Sequence, residues 1–404
     1  MTACSAQSPW RSPGYPIYLC AASAGRIADS MWVGVVLLVL ARTHDAGLAG
    51  GVIAAATLPT LVSAPLIGAW LDTTARRRAA LAANEILLIV SLAALVLLVG
   101  HAPAVVVLLC AALAGLGQPL VTGGFSSLMP GLVPPAALPR ANALESMTYG
   151  LADIAGPALA GALAALLGPA AALGGQIALA ALCLLLLTGL PSTAPPAAER
   201  PSGLGTALAA GIRVLVRSPA LRGVTTTSLL SSAGAGLLTV ALPALAERLT
   251  GDASAAGALY AAIAVGAIAG AALLPRLGAR VPARRLVFAS GAAQGLALLV
   301  LGALPVSPLD VALCVVCGIP QGLALAALFT VRIGCTPVGL RSQVFTSVAG
   351  MKAGFAALGA AASGVLVAAR GPGATLVVAG VAFLAATALG VLAAGGASPP
   401  RPAR

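Results

Sequence analysis

Twelve stretches of about twenty or more mostly apolar residues, set apart by short polar gaps, follow one another along the chain. They lie near 18–40, 47–71, 79–99, 103–127, 143–167 and 169–190, then near 222–246, 254–275, 285–305, 308–331, 342–369 and 372–395. A bilayer core takes roughly 20 apolar residues per helix, so each run predicts one membrane-spanning helix. The runs are rich in Ala and Leu and lack the period-two alternation of a membrane barrel strand. The pattern therefore predicts an all-α polytopic membrane protein with twelve transmembrane helices. Residues 18–40 are too long for the core of a cleaved signal and contain Arg26 and Asp29, so they count as the first span.

Polar segments divide the runs. A Pro- and Ser-rich start (1–17) and end (396–404) read as disordered tails. A linker at 191–221, containing STAPPAAERPSG, separates a six-helix bundle at 18–190 from a second at 222–395. The halves repeat: GLGQPL at 115–120 returns as GIPQGL at 318–323, an offset of 203. GPALAG at 156–161 returns as GAAASG at 359–364, and Leu138 with Arg140 as Leu340 with Arg341. Parallel halves of this kind place a binding site between them and transport by rocking one against the other.

Composition sharpens the picture. The chain has 404 residues, 60% hydrophobic and 8% charged, against about 25% charged in ordinary soluble domains. Its net charge of +12 raises the question of nucleic acid. With a cytoplasmic N-terminus, however, seventeen of the 22 Lys and Arg fall in cytoplasmic loops or tails, Arg332 among them, and only Arg42, Arg248 and Arg370 outside. Topology accounts for that skew, and a nucleic-acid partner is not needed. Most of the seven cysteines lie within spans, as small apolar residues. Cys314-x-x-Cys317 is a candidate thiol redox pair, but no second pair accompanies it. His44 and His101 lie in outer loops and complete no metal site. The single lysine, Lys352, precedes Ala353, so no GxxxxGK[ST] phosphate loop exists and ATP does not drive this chain. No cofactor is expected.

The gap after the second run reads GAWLDTTARRR and resembles the loop signature G-x-L-a-D-r-x-G-R-R of the major facilitator superfamily. Gly68, Asp72, Arg76 and Arg77 match it; Trp70, Thr73 and Ala75 depart from it. The antiporter signature G-x-x-x-G-P-x-x-G-G of the fifth span is met by Gly156, Pro157 and Gly161, with Ala152 and Ala160 replacing two glycines. PGLVPPAALPRANALES is similar to the same region of drug and siderophore exporters of the macrolide-efflux and enterobactin-exporter branches. The resemblance implies that Asp72 holds a gate against the start of the eleventh span, just after Arg341. It also implies a bacterial inner-membrane location with both termini cytoplasmic. Ala111 stands where the family carries an arginine, and Ala279 where the second half would repeat Asp72.

Ionisable residues in mid-membrane are costly, about 2.5–3.5 kcal/mol each on insertion scales, and therefore point to function. In the first span Ser23, Arg26 and Asp29 share a face, and Arg26 and Asp29 are near enough to pair. In the fifth, Glu145, Tyr149 and Asp153 form one stripe, with Glu145 at the solvated end. A proton-coupled carrier needs a carboxyl that loads and releases a proton between states; Asp29 and Asp153 are the candidates, with Arg26 as counter-charge. The second half is expected to hold no acid within a span. Its candidates for the substrate cavity are Ser228 and Ser232, Gln321 as the repeat mate of Gln118, and Lys352; Tyr149 completes the set.

The resulting expectation is a monomeric secondary transporter that exports a small amphipathic compound in exchange for protons. The alternatives are an importer or facilitator of the same fold and, in another class, a membrane thiol redox enzyme using Cys314 and Cys317.

Overall fold

The computed structural model describes residues 9–60, 76–191, 213–304, 309–336 and 341–395, with isolated positions at 63, 67, 70 and 74. Gly68, Asp72 and the side chain of Arg341 lie outside the described residues. The chain is helical throughout its described spans: α1 (Tyr15–Asp29), α2 (Val33–Thr43), α3 (Ala46–Thr57), α4 (Arg77–Leu98), α5 (Ala104–Leu116), α6 (Leu138–Leu167), α7 (Pro169–Thr188), α8 (Pro219–Thr250), α9 (Ala256–Gly278), α10 (Ala283–Ala303), α11 (Asp310–Cys335) and α12 (Arg341–Ala393). Ten stretches among the described residues are long and apolar enough to cross a membrane, and α3 is a shorter apolar helix. One of the ten, Tyr15–Thr43, is α1 and α2 together. α12 is two helices that meet at Gly371, whose φ of 82° lies outside the helical region. The elements are consistent with the twelve expected spans.

Positive-φ glycines make the sharp turns, where a side chain would be strained. Gly168 (φ 92°) precedes Pro169 and Gly371 (φ 82°) precedes Pro372. The two Gly-Pro junctions are themselves repeat mates at the offset of 203. Each ends one helix and starts the next with a residue suited to a first turn. At the junction after α2, His44 turns with φ 51°, and the Asp45 carboxylate caps α3 by accepting from Leu48 N at 2.9 Å.

The described residues fall into two compact units, the first within Met1–Pro201 and Leu242–Ala261, the second within Ser202–Ala241 and Ala262–Arg404. The first unit has its core where Tyr15, Tyr18, Phe125, Met129 and Cys183 pack. Tyr18 meets the Phe125 ring edge-on at 6.1 Å. In the second, Val224, Leu286, Leu323, Leu328 and Val331 form one cluster. Two G-x-x-x-G faces hold α9 on α11: Gly266 and Gly270 lie against Val315 O and Ile319 O, Gly318 and Gly322 against Ile263 O and Ala267 O, with no room for a Cβ at any of the four. Lipid supplies no hydrophobic force between helices, so such close backbone contact is what holds them. Outward-facing side chains such as Leu97, Leu166, Val365 and Leu392 are more than two-thirds exposed. A belt of that kind suits hydrocarbon and not water.

Candidate functional site

Two helices of the first unit are broken at the same place in the site. The span Tyr15–Thr43 stops being helical directly after Asp29 and resumes at Val33. The interruption frees backbone groups that must find partners in hydrocarbon. At the break Ala28 O accepts from Met31 N at 3.1 Å and also from the buried Gln176 amide at 2.9 Å. The second break follows α5. Pro119 has no N–H to donate, and the chain widens into a π-turn at Leu120–Gly124 before the short turn Phe125–Leu128. Thr122 O, loosened there, accepts from Tyr149 Oη at 2.6 Å. π-turns inside helices cluster at functional sites.

Arg26 lies between these breaks, 3% exposed. Its Nη2 donates to Glu145 Oε1 at 2.7 Å and to Tyr149 Oη at 3.0 Å, and its Nη1 to Thr148 Oγ1. The guanidinium also stacks 3.8 Å above the Tyr149 ring. Glu145 Oε1 takes two further bonds, from Tyr18 Oη at 2.9 Å and Ser126 Oγ at 2.7 Å. The sequence placed Glu145 in solvent and let Arg26 pair with Asp29. Instead Glu145 is 5% exposed and is the carboxylate that Arg26 pairs with. An arginine making three hydrogen bonds in a network exchanges water for fixed acceptors, which a single neighbour one turn away could not supply.

Asp29, left without Arg26, faces Gln118, whose side chain hydrogen-bonds to its carboxyl group. Beside it stands an acid that the sequence reading passed over. Glu85 is fully buried in α4, near enough to interact electrostatically with Asp29. Asn84 Nδ2 approaches its Oε1 at 3.4 Å, while its Oε2 has no hydrogen-bond partner. Gly25, one turn before Asp29, packs nearby: a Cβ there would lie tightly, at 3.1 Å, against Cys183 Sγ and in ordinary contact, at 3.7 Å, with Glu85 Oε1. Gly117 likewise admits no Cβ against the Asn84 amide. The available signal was the pair Asn84–Glu85 within the apolar run 79–99.

The remaining candidates are dispersed. Asp153 is exposed, so the stripe from Glu145 runs from buried to exposed along α6. Gly156 packs on Ser30 at the α1 break and Gly161 on Gly257, contacts too close for a side chain. Pro157 lies within α6. Arg76 is exposed; Arg77 Nη1 donates to Ser127 O at 2.9 Å, tying the start of α4 to the turn after the π-segment. In the second unit Gln321 and Lys352 are half-buried, and Ser232 Oγ bonds Ser228 O on its own helix at 2.8 Å. Two expectations are corrected there. Asp310 opens α11 with 2% exposure, so the second half does hold an acid within a span. Arg332, expected in a loop, is buried in the last turn of the same helix. Cys314 and Cys317 are buried free thiols one turn apart on α11.

Comparison with known proteins bears on what this arrangement serves. Residues 9–395 match the transmembrane secretion effector family. The uncharacterized MFS-type transporter y4rN of Sinorhizobium fredii is 36% identical over 276 residues, 66% of each chain. The enterobactin exporter EntS of Citrobacter koseri is 32% identical over 216 residues, 53% of this chain and 51% of that one. The matched stretch thus spans about half to two-thirds of these relatives. Among solved structures, a bacterial homolog of the human lysosomal transporter Spinster, inward-facing and unoccupied, superposes with a TM-score of 0.73 at 16% identity over 95% of this chain and 97% of its own. A D-xylose-proton symporter does so with 0.72 at 14% identity, over 93% and 97%. With the family match covering nearly the whole sequence and the fold agreeing, the chain is a multi-pass membrane protein of the major facilitator superfamily and belongs to its transmembrane secretion effector family.

Proposed function

We propose that this transporter is a proton-driven exporter of a small amphipathic organic compound, working as a monomer by alternating access in a bacterial inner membrane with both termini inside. The observation that carries the proton coupling is the division of charge around the α1 break. Arg26 is committed to Glu145, while Asp29 and Glu85 are neighbouring carboxyls that share no ion pair with it. A proton can enter or leave that pair without breaking a salt bridge, and the backbone break beside Asp29 makes its position responsive to helix movement. Discontinuous helices are where transporters of this architecture gather their ion and substrate groups. Asp153 is a second carboxyl on the same reading, and Gln118 and Tyr149 line the first unit's share of the cavity. Asp72 with Arg76, Arg77 and Arg341 forms the gate, and Gly156, Pro157 and Gly161 the flexing seam. The exporter direction is supported by relatives named for enterobactin export.

The test is dye retention in efflux-deficient cells, with a cationic dye (ethidium) and an anionic one (carboxyfluorescein), each with and without a protonophore. Wild type is expected to lower retention of one dye only while the gradient stands, and Asp29→Asn and Glu85→Gln to behave as empty vector. Gradient-independent dye loss, or full activity in both variants, would overturn the coupling.

A further inference from the structure

Arg332 is 4% exposed at the end of α11. Its Nη2 donates to Ser228 Oγ on α8 at 3.2 Å, and its buried Nε has no acceptor. Ser228 is neutral, so among the described residues this guanidinium has no counter-charge in the interior of a membrane protein. The usual remedy is a carboxylate, and the second unit has none to bring. Its sequence contains a single acid, Asp310, which opens the same helix about 33 Å away at 1.5 Å per residue. Arg26 in the first unit marks the contrast: its Nε is likewise without a partner, but the Glu145 carboxylate balances its charge and the Thr148 and Tyr149 hydroxyls accept from it.

α8 carries a second hydroxyl on that face. Thr225 lies one turn before Ser228 on the same face of α8, and its buried Oγ1 has no partner. Val224, next to it, packs in one cluster with Leu328 and Val331, which brings this part of α8 against the end of α11. The carbonyl end of α11 offsets part of the charge, yet no carbonyl takes the Nε hydrogen. An unused guanidinium N–H, a hydroxyl and a net positive charge complement an oxyanion, and arginine meets carboxylates with its planar fork.

We infer that Arg332, Ser228 and Thr225 form a binding site for a carboxylate carried by the transported compound. Describing the ligand as cargo rests on the exporter reading; the site itself does not. The experiment is thermal unfolding of the purified full chain in a neutral detergent, titrated with salicylate or with salicylamide, which has the same ring and no charge. Salicylate is expected to raise the wild-type melting temperature with dose, and salicylamide to leave it unmoved. Arg332→Gln should bind salicylate about tenfold or more weakly, and Ser228→Ala and Thr225→Val a few-fold more weakly. Equal responses to the two compounds, or undiminished salicylate binding in Arg332→Gln, would overturn the proposal. If Arg332→Gln does not yield folded protein, the two hydroxyl variants decide: unchanged salicylate affinity in both overturns it. No gradient enters this measurement, so it can fail while gradient-driven dye loss succeeds, and the reverse.

Discussion

A guanidinium taken out of water loses several kcal/mol of hydration unless its hydrogens find acceptors. Arg26 finds Glu145, Thr148 and Tyr149, and Glu145 in turn receives Tyr18 and Ser126. Removing one partner of such a buried pair costs about 3–5 kcal/mol, because the other charge is stranded. Glu145→Gln is therefore expected to lower the melting temperature of the detergent-purified protein well below wild type. The double variant Arg26→Gln/Glu145→Gln should melt above that single variant, since it strands nothing. Glu85 differs: it shares no salt bridge with a base among the described residues and one of its oxygens is unpartnered. Glu85→Gln should stay within about 1 kcal/mol of wild type by the same melt, as an exposed or neutral site would. A large loss there would show that the Glu85 charge is paired.

Helices in the second unit meet through backbone. The α9–α11 contact puts Gly270 and Gly322 against carbonyl oxygens of the facing helix, and any side chain there forces the helices apart. Gly322→Ala is expected to cost about 1–3 kcal/mol, the range for overpacking a tight contact. Gly174 in α7 has nothing within 4 Å of where a Cβ would stand, so Gly174→Ala should stabilise by about 0.4–1 kcal/mol through the unfolded chain. Comparing both melts in one detergent tests whether crossing distance or helix propensity governs these positions. The α1 break and the π-turn after α5 are the opposite kind of element, where regular helical hydrogen bonding is given up and the Gln176 and Tyr149 side chains bond backbone carbonyls.

Charge is divided unevenly across the molecule. The formal net charge of +12 resides wholly in the sequence of the second unit, where Asp310 is the single acid. The first unit's acids and bases balance, and they include Arg26, Asp29, Glu85 and Glu145. At the far end of α2, His44 Nδ1 lies 2.8 Å from Glu247 Oε1, both within the first unit, and the two residues are 203 positions apart. That separation equals the internal repeat offset, so the pair joins repeat mates. With both termini inside, as proposed, the positive-inside rule predicts Asp252 outside and Arg280 inside. In a variant without native cysteines, a membrane-impermeant maleimide should label Asp252→Cys on intact cells and Arg280→Cys only after permeabilisation. The reverse pattern would invert the topology.

Local sequence was enough for the helices, because a bilayer demands apolar length and nothing subtler. It was enough for the repeat and the polar faces of α1 and α6, since those depend on spacing along the chain. It could not say which charges meet. Arg26 and Asp29 are a turn apart, yet Arg26 turns to Glu145, 119 residues away, because only the packed bundle brings three acceptors to one guanidinium. Glu85 passed unnoticed inside an apolar run for the same reason: its meaning comes from Gly25 and Asp29 on α1 and from Gly117 and Gln118. Arg332 read as a loop residue until α11 carried it inward beside Ser228. Spacing along one helix is written in neighbouring letters, whereas the partner of a buried charge is chosen by folding, where each desolvated group has to be answered by whatever the other helices place beside it.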